Sequence, residues 1–251
     1  MEPASAPKPR VSVCMAAYNG ARHIKEQIDS ILAEIGPGDE LIVVNDCSTD
    51  ETPAVVAGMN DPRIRLIQAE RNNGYVRTFE WALSEARGEF VFLSDQDDVW
   101  LPGRVERMIS AMDGKDMVVS NCKHFDGPLG PFHEIRLRPE DSSHAFRNIL
   151  GIVVGYRLHW GCAMAVRHRL LEQVLPFPTY MKESHDQWLA TVGNVNRSIV
   201  YLEEDTILHR LHGENLTPHG IRSASKILKA RIVFLRNVYE AVRRARRARA
   251  A

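Results

Sequence analysis

The chain has 251 residues (28.4 kDa), of which 44% are hydrophobic and 25% charged, an ordinary globular composition that excludes a disordered or fibrous protein. No stretch approaches ~18 uninterrupted apolar residues, which excludes a membrane-spanning helix. The net charge of zero hides a division: from Lys226 onward nine basic residues meet one acid, Glu240, so this tail carries +8 and residues 1–225 carry −8.

In chain order, residues 1–10 are Ala/Pro-rich without an apolar core and read as a flexible leader, not a secretory signal. Strands are predicted at Val11–Ala16, Glu40–Asn45, Arg63–Ala69, Glu89–Ser94 and Met117–Asn121. Their unbroken apolar character (LIVV at 41–44, FVFL at 90–93) suits strands covered on both faces. Between them lie helices. Ile24, Ile28, Ile31, Leu32 and Ile35 recur at helical spacing before the Gly36-Pro37-Gly38 stop, and helices are also expected at Tyr75–Ala86 and Leu101–Met112. This alternation predicts an α/β fold built on a single, mostly parallel twisted sheet flanked by helices. Residues 123–140 read as a Gly/Pro-rich loop. A strand at Gly161–Arg167, helices at 168–174 and Asp186–Gly193, and two short strands near 199–202 and 206–209 follow. No linker separates a second domain, so residues 11–222 form one domain and 223–251 a basic amphipathic C-terminal helix. Cys14, Cys47, Cys122 and Cys162 form no CxxC pair and read as reduced thiols, consistent with a soluble, cytoplasmic chain.

Open α/β sheets bind ligands at the carboxyl ends of their strands. Three of those ends are polar here: Ala17-Tyr18-Asn19-Gly20, Asn45-Asp46-Cys47-Ser48-Thr49-Asp50, and Ser94-Asp95-Gln96-Asp97-Asp98. Three carboxylates in four residues repel one another unless a cation or donors compensate, and they suit Mg²⁺ or Mn²⁺; the alternative is a solvated acidic turn before the next helix. Asp46 could accept from a nucleoside, or its segment could simply start a helix. Neither GxGxxG nor GxxxxGK[ST] is present, so phosphate neutralisation is left to a metal. His185-Asp186-Gln187-Trp188 puts a carboxylate at a helix start, where it is either an N-cap or a base. His209 and His212 are two imidazoles three apart.

Together, Ala17-Tyr18-Asn19, Asn45 to Asp50, Asn72-Asn73-Gly74, Ser94 to Asp98 and His185-Asp186 resemble family 2 inverting glycosyltransferases of the GT-A fold, in order and spacing over residues 11–215. The Asp95 to Trp100, His185 to Trp188 and His212-Gly213-Glu214-Asn215 variants look most like the rhamnosyltransferase-like branch. The resemblance implies a metal-dependent transferase moving a sugar from a nucleotide-diphospho-sugar donor to a glycan or lipid-linked saccharide. The donor expectation is dTDP-L-rhamnose, with a UDP-hexose as rival. It implies donor contacts for Ala17, Tyr18, Asn19, Asp46, Asn73, Asp95 and Gln96, and Mn²⁺ or Mg²⁺ held by Asp97, Asp95 and His212. Asp186 would be the general base. Beside it, Trp160, Trp188 and His185 stand on the acceptor side, where an aromatic face can meet a sugar; the alternative for both tryptophans, and the preferred one for Trp188, is core packing. Where the family usually has Asp-Asp-Gly-Ser, this chain has Asn45-Asp46-Cys47-Ser48, and Cys47 replaces a glycine. A sugar nucleotidyltransferase would need a glycine-rich phosphate loop after the first strand, and none is there; a non-catalytic binding protein would not require Asp95, Asp97 and Asp186.

The tail from Lys226 to Arg249 is helical in pattern, with Ile227, Leu228, Ile232, Leu235, Val238, Tyr239 and Val242 on one side. Such a basic amphipathic helix either rests peripherally on the inner face of a membrane or packs on the body. The −8 body repels nucleic acid, which is not an expected partner.

Overall fold

The unbroken apolar runs of the first hundred residues become one half of an eight-stranded sheet. The computed structural model describes residues 8–129, 135–212 and 224–250. The strands are β1 (Val11–Ala17), β2 (Glu40–Asn45), β3 (Ile64–Gln68), β4 (Phe90–Ser94), β5 (Val99–Trp100), β6 (Met117–Phe125), β7 (Met164–Arg167) and β8 (Ile199–Arg210). Their order across the sheet is β3-β2-β1-β4-β7-β6-β8-β5. β1 to β4 are mutually parallel, as the strand–helix alternation requires. β7 enters antiparallel between β4 and β6, β8 runs parallel to β6, and β5 closes the far edge antiparallel to β8. The sheet is therefore mixed with a parallel majority.

Helices α1 (Ile24–Leu32), α2 (Thr52–Gly58), α3 (Tyr75–Ser84), α4 (Arg104–Ala111), α5 (Ala145–Val154), α6 (Leu171–Val174), α7 (His185–Val195) and α8 (Ala224–Ala250) flank it. Every residue of β2 is buried, which explains its lack of alternation. Ile24, Ile28 and Ile31 of α1 and Phe79, Ala82 and Leu83 of α3 close over the sheet. Each of the buried isoleucine, leucine and phenylalanine side chains contributes roughly 1.5–3 kcal/mol.

Four local expectations change. The two short strands near 199–202 and 206–209 are one twelve-residue strand, β8, interrupted only in register against β6. Residues Gly161–Ala163 form a 3₁₀ turn closed by the Ala163 N–H donating to the Trp160 carbonyl, so the strand begins at Met164. α5 fills residues 145–154, for which no element is predicted, and β5 directly follows the acidic turn. Of the expected leader, residues 1–7 lie outside the described residues; the carbonyls of Pro9 and Arg10 accept N–H bonds from Glu89 and Phe90. The 222/223 boundary also lies outside them. All four cysteines are free, and all but Cys47 are buried.

The Ala241–Ala245 stretch of α8 packs on the body, while Arg246, Arg247 and Arg249 beyond it are exposed. Ala241 and Ala245 are buried, and Arg244 donates to the carbonyls of Gln173, Val174 and Pro176 at 3.0, 3.1 and 2.8 Å. Its guanidinium stands 5.1 Å from the Trp188 ring, and Arg243 and Arg244 both engage Glu240. Among the described residues, no helix is long and apolar enough to cross a membrane.

Candidate active site

The strand ends assemble around the β1–β4 side of the sheet. Tyr18, just past β1, is 46% exposed, while its backbone is clamped. The Gln96 side chain accepts from the Tyr18 N–H and donates to the Tyr18 carbonyl, both at 2.9 Å, as a strand would. This clamp needs Gly20, where a Cβ would come within 2.2 Å of the Gln96 amide. Asn19 accepts from the Thr49 N–H at 2.8 Å and its own N–H donates to Ser48 Oγ at 2.9 Å, tying the β1 and β2 ends together.

Asp46, at the end of β2, is buried and spends both oxygens on backbone: Oδ1 accepts from Asn73 N–H at 2.7 Å and Oδ2 from Gly74 N–H at 2.9 Å. Asn73 is thus positioned by Asp46. The next residue, Cys47, has φ +61°, in the left-handed region that costs a residue with a Cβ about a kcal/mol or more. Cys47→Gly is expected to raise unfolding stability by roughly 0.5–1 kcal/mol, measured by urea denaturation, because the strain removed exceeds the added chain entropy. A fall in stability would show that the thiol's packing outweighs the strain.

The acidic turn after β4 is held by residues more than a hundred positions later. Asp98 is fully buried; its Oδ1 accepts from His209 Nδ1 at 2.9 Å and from the Arg210 N–H at 3.0 Å. Burial alone would raise this carboxyl, but the His209 charge and these hydrogen bonds hold it below its usual range. Burial likewise opposes charge on His209, and Asp98 overcomes it, raising the imidazole to about 9. Arg210 Nε donates to the Asp97 carbonyl at 2.9 Å, and its other nitrogens reach Glu26 at 2.6 Å and Asp126. Asp97 Oδ2 lies 2.8 Å from His212 Nε2, and His212 stacks on His23 at 5.6 Å. The two imidazoles thus divide between adjacent carboxylates.

Asp95 is half-buried. Burial, then the charges of Asp98 and Asp97, push its carboxyl up to about 8; Asp186 adds to the shift. Asp97 is raised by burial and by the Asp98 charge, against the pull of His212 and His209. This is a set of oxygens short of positive charge. The ligand atoms of Asp95, Asp97 and His212 do not all converge within 4.8 Å; among the described residues only Asp98, Cys162 and His209 do. That trio is already explained by the Asp98–His209 ion pair. Asp97 and His212, with facing atoms 2.8 Å apart, could share one divalent cation. Hard carboxylate oxygens with one imidazole fit Mn²⁺ or Mg²⁺, which complete their shells from waters and phosphates.

Asp186 is the second residue of α7 and half-buried; burial pushes its carboxyl up to about 7, against the hydrogen bond it accepts from the Gln187 N–H at 2.7 Å. Its neighbour His185 is buried in an aromatic cage. Phe79 stacks at 4.3 Å and Tyr75 stands edge-on at 5.6 Å, and desolvation depresses the imidazole to about 3. Neither ring nitrogen has a hydrogen-bond partner among the described residues. A Cβ on Gly161 would come within 2.9 Å of His185 Nε2, so the 161–163 turn and the start of α7 fit only through this glycine. Trp188 is fully buried, its indole N–H donating to the Val174 carbonyl at 3.0 Å. In this conformation Trp188 and His185 present no open face to an acceptor. Trp160 is half-buried, 5.2 Å from the His209 ring and 5.8 Å from that of His124.

The sequence-chosen Tyr18, Asn19, Asp46, Asn73, Asp95, Gln96, Asp97 and His212 therefore share one set of interlinked strand ends, with Ala17 buried at the end of β1. Sequence reasoning missed His209 and Arg210 as supports of the acidic turn. The three-residue spacing of the histidines at a strand end was the available signal; Arg210 gave none. Gly213, Glu214 and Asn215, which carried part of the resemblance, lie outside the described residues.

The family model "Glycosyl transferase family 2" matches residues 12–175. The succinoglycan biosynthesis protein ExoO of Rhizobium meliloti (strain 1021) is 43% identical over 115 residues, covering 45% of this chain and 33% of that protein. The Escherichia coli protein WfgD, named UDP-Glc:alpha-D-GlcNAc-diphosphoundecaprenol beta-1,3-glucosyltransferase, is 29% identical over 198 residues, covering 76% of this chain and 72% of its own. Among solved structures, Staphylococcus aureus TarS residues 1–349 in complex with UDP-GlcNAc superposes with a TM-score of 0.69 at 23% identity, over 91% of this chain and 66% of TarS. The mannosyltransferase PcManGT of Pyrobaculum calidifontis, in complex with GDP-Man and Mn²⁺, gives 0.60 at 21%, over 98% and 76%. The chain spans from a third to about two-thirds of the length of several curated relatives that it matches. The match over residues 12–175, with the GT-A fold these structures share, places the chain in glycosyl transferase family 2.

Proposed function

We propose that the chain is an inverting glycosyltransferase that moves a sugar from a nucleoside-diphospho-sugar to a hydroxyl of a glycan or lipid-linked saccharide. The observation that carries this reading is that the 161–163 turn joins the acidic turn to the start of α7: a Cβ on Gly161 would lie 3.8 Å from Asp186 Cβ, while Cys162 Sγ stands 3.8 Å from the His209 Nδ1 that braces Asp98. Two carboxyls with different supports, one beside a cation-deficient turn and one near neutral protonation, divide the labour of donor side and acceptor side. Tyr18, Asn19 and the Asp46–Asn73 pair would seat the nucleoside, with Ala17 and Gln96 fixing Tyr18's backbone. Asp97 and His212 would hold Mn²⁺ or Mg²⁺, with Asp95 adding negative charge beside them, and the cation when bound would neutralise the leaving diphosphate. Asp186 accepts the proton of the attacking hydroxyl as it adds to the face of the sugar opposite the diphosphate. Trp160, at the rim of the acidic turn, would offer an aromatic face to the acceptor sugar, while His185 and Trp188 would act on the acceptor side only by holding the start of α7.

The motif variants support dTDP-L-rhamnose as donor; the E. coli relative's name, with UDP-Glc, supports a UDP-hexose instead. Calorimetric titration of dTDP and UDP, each with and without Mn²⁺, tests the site. Metal-dependent binding of one nucleotide is expected and selects the donor class. Binding of neither to folded protein would remove the reading.

A further inference from the structure

Among the described residues, twelve large apolar side chains are exposed, and nine of them stand on α5, just after it, or on α8. Single exposed apolar residues are ordinary, but such a concentration marks an interaction face. On α5, Phe146, Leu150 and Val154 follow at four-residue spacing, 81%, 47% and 53% exposed. On α8, Leu228, Ile232, Leu235 and Tyr239 form a second stripe, 63%, 50%, 57% and 72% exposed. Both spacings keep a stripe on one side of a helix. The opposite sides are the buried ones, through Asn148 and Ile152 on α5 and Asn237 and Ala241 on α8. Both helices pack on α7 and on each other, so the stripes face outward together. Arg231 of α8 reaches the end of α5, where a Cβ on Gly155 would come within 2.2 Å of its guanidinium.

The charge on this face is of one sign. Arg147 on α5 and Lys226, Lys229 and Arg236 on α8 are exposed. α5 has no acid, and the one acid of α8, Glu240, is engaged by Arg243 and Arg244. We infer that this α5–α8 face docks on an anionic lipid bilayer, its two stripes in the headgroup–acyl boundary and its cations against lipid phosphates. Apolar residues on one face with a cationic rim are the chemistry of interfacial helices. Charge complementarity selects this occupant over a second copy, because a two-fold pairing of the same patch would set cations against cations. The arrangement also relocates the contact expected of the tail. Residues 241–245 are docked on the body, Arg246, Arg247 and Arg249 beyond them are exposed, and the leucine-bearing first half of α8 is what carries a free apolar stripe for a membrane. The inference rests on exposure and charge and is independent of the transfer reaction.

The test is flotation of the full chain with vesicles of phosphatidylcholine mixed with phosphatidylglycerol, and of phosphatidylcholine alone. Binding is expected to the mixed vesicles and to weaken with salt. The exposed double change Leu228→Ser with Leu235→Ser should lower partitioning roughly tenfold or more with an unchanged melting temperature. Phe146→Ser should lower it several-fold, and removing residues 246–251 should matter less than either. Serine variants that partition like the parent chain would overturn the proposal, placing any binding in the arginine end. So would a chain that ignores both vesicles yet sediments as a dimer that the double variant abolishes.

Discussion

Asp186→Asn is expected to lower the transfer rate about 10²- to 10⁴-fold while nucleotide affinity in the presence of Mn²⁺ stays within about twofold. The asparagine keeps the shape and can still accept from the Gln187 N–H, so the start of α7 is preserved and only proton acceptance is lost. The parent chain should also show an acid limb in kcat/KM. With the Asp186 carboxyl raised to about 7 by burial, the fraction competent as a base grows as pH rises through 7 and levels off above it. In the asparagine variant the residual rate should lose that limb. A fall in nucleotide affinity as large as the fall in turnover, or a limb that survives the substitution, would place Asp186 in donor binding and remove it as the base.

Asp98→Ala carries the largest stability effect, about 3–5 kcal/mol, because it leaves a buried partner without its counter-charge. His209 loses its acceptor, and so does the Arg210 N–H. Asp98→Asn should cost less, since an amide oxygen can still accept the Arg210 N–H. The pair also sets a pH dependence. A His209 pKa raised from 6.5 to about 9 means that its contribution is complete below 6.5 and fades as pH climbs through 9. On the acid side the depressed Asp98 contributes above its unfolded value of 3.8 and loses that contribution as pH falls through its folded pKa. The parent's denaturation midpoint should therefore decline between about pH 6.5 and 9, and the Asp98→Ala variant should lack that decline. A midpoint in the parent that is flat over this range would show that the two groups are not an ion pair in the folded chain.

The parallel half of the sheet was legible because each of its strands is covered on both faces and carries its own punctuation. Glu40–Asn45 matched to the residue, and Gly36-Pro37-Gly38 marked the loop before it. The strand-end motifs were legible for the same reason: Tyr18, Asp46 and Asp95 each directly follow a strand. The second half was harder to read because its pairings are non-local. α5 reads Ala-Phe-Arg-Asn-Ile-Leu-Gly-Ile-Val-Val, apolar on both its buried and its exposed sides, so its helical period is masked. β5 has two residues and exists only because β8 is there to pair with it. The carboxylate motif announced a charged turn, but its stabilising partners His209, Arg210 and His212 lie 111 to 115 residues away, where no local pattern could assign them.

The interior position of β8 bears on how the protein is made. β8 is the last strand among the described residues, yet it lies between β6 and β5 and delivers the groups that brace the acidic turn. During synthesis, the Asp95–Asp98 segment leaves the ribosome long before its partners, and it remains a run of mutually repelling charges until residue 210 is available. Loop closure over that distance is slow and entropically costly, so the acidic turn is expected among the last parts of the molecule to become ordered. A nascent chain ending at residue 175 would hold the whole matched family segment and still have no formed site.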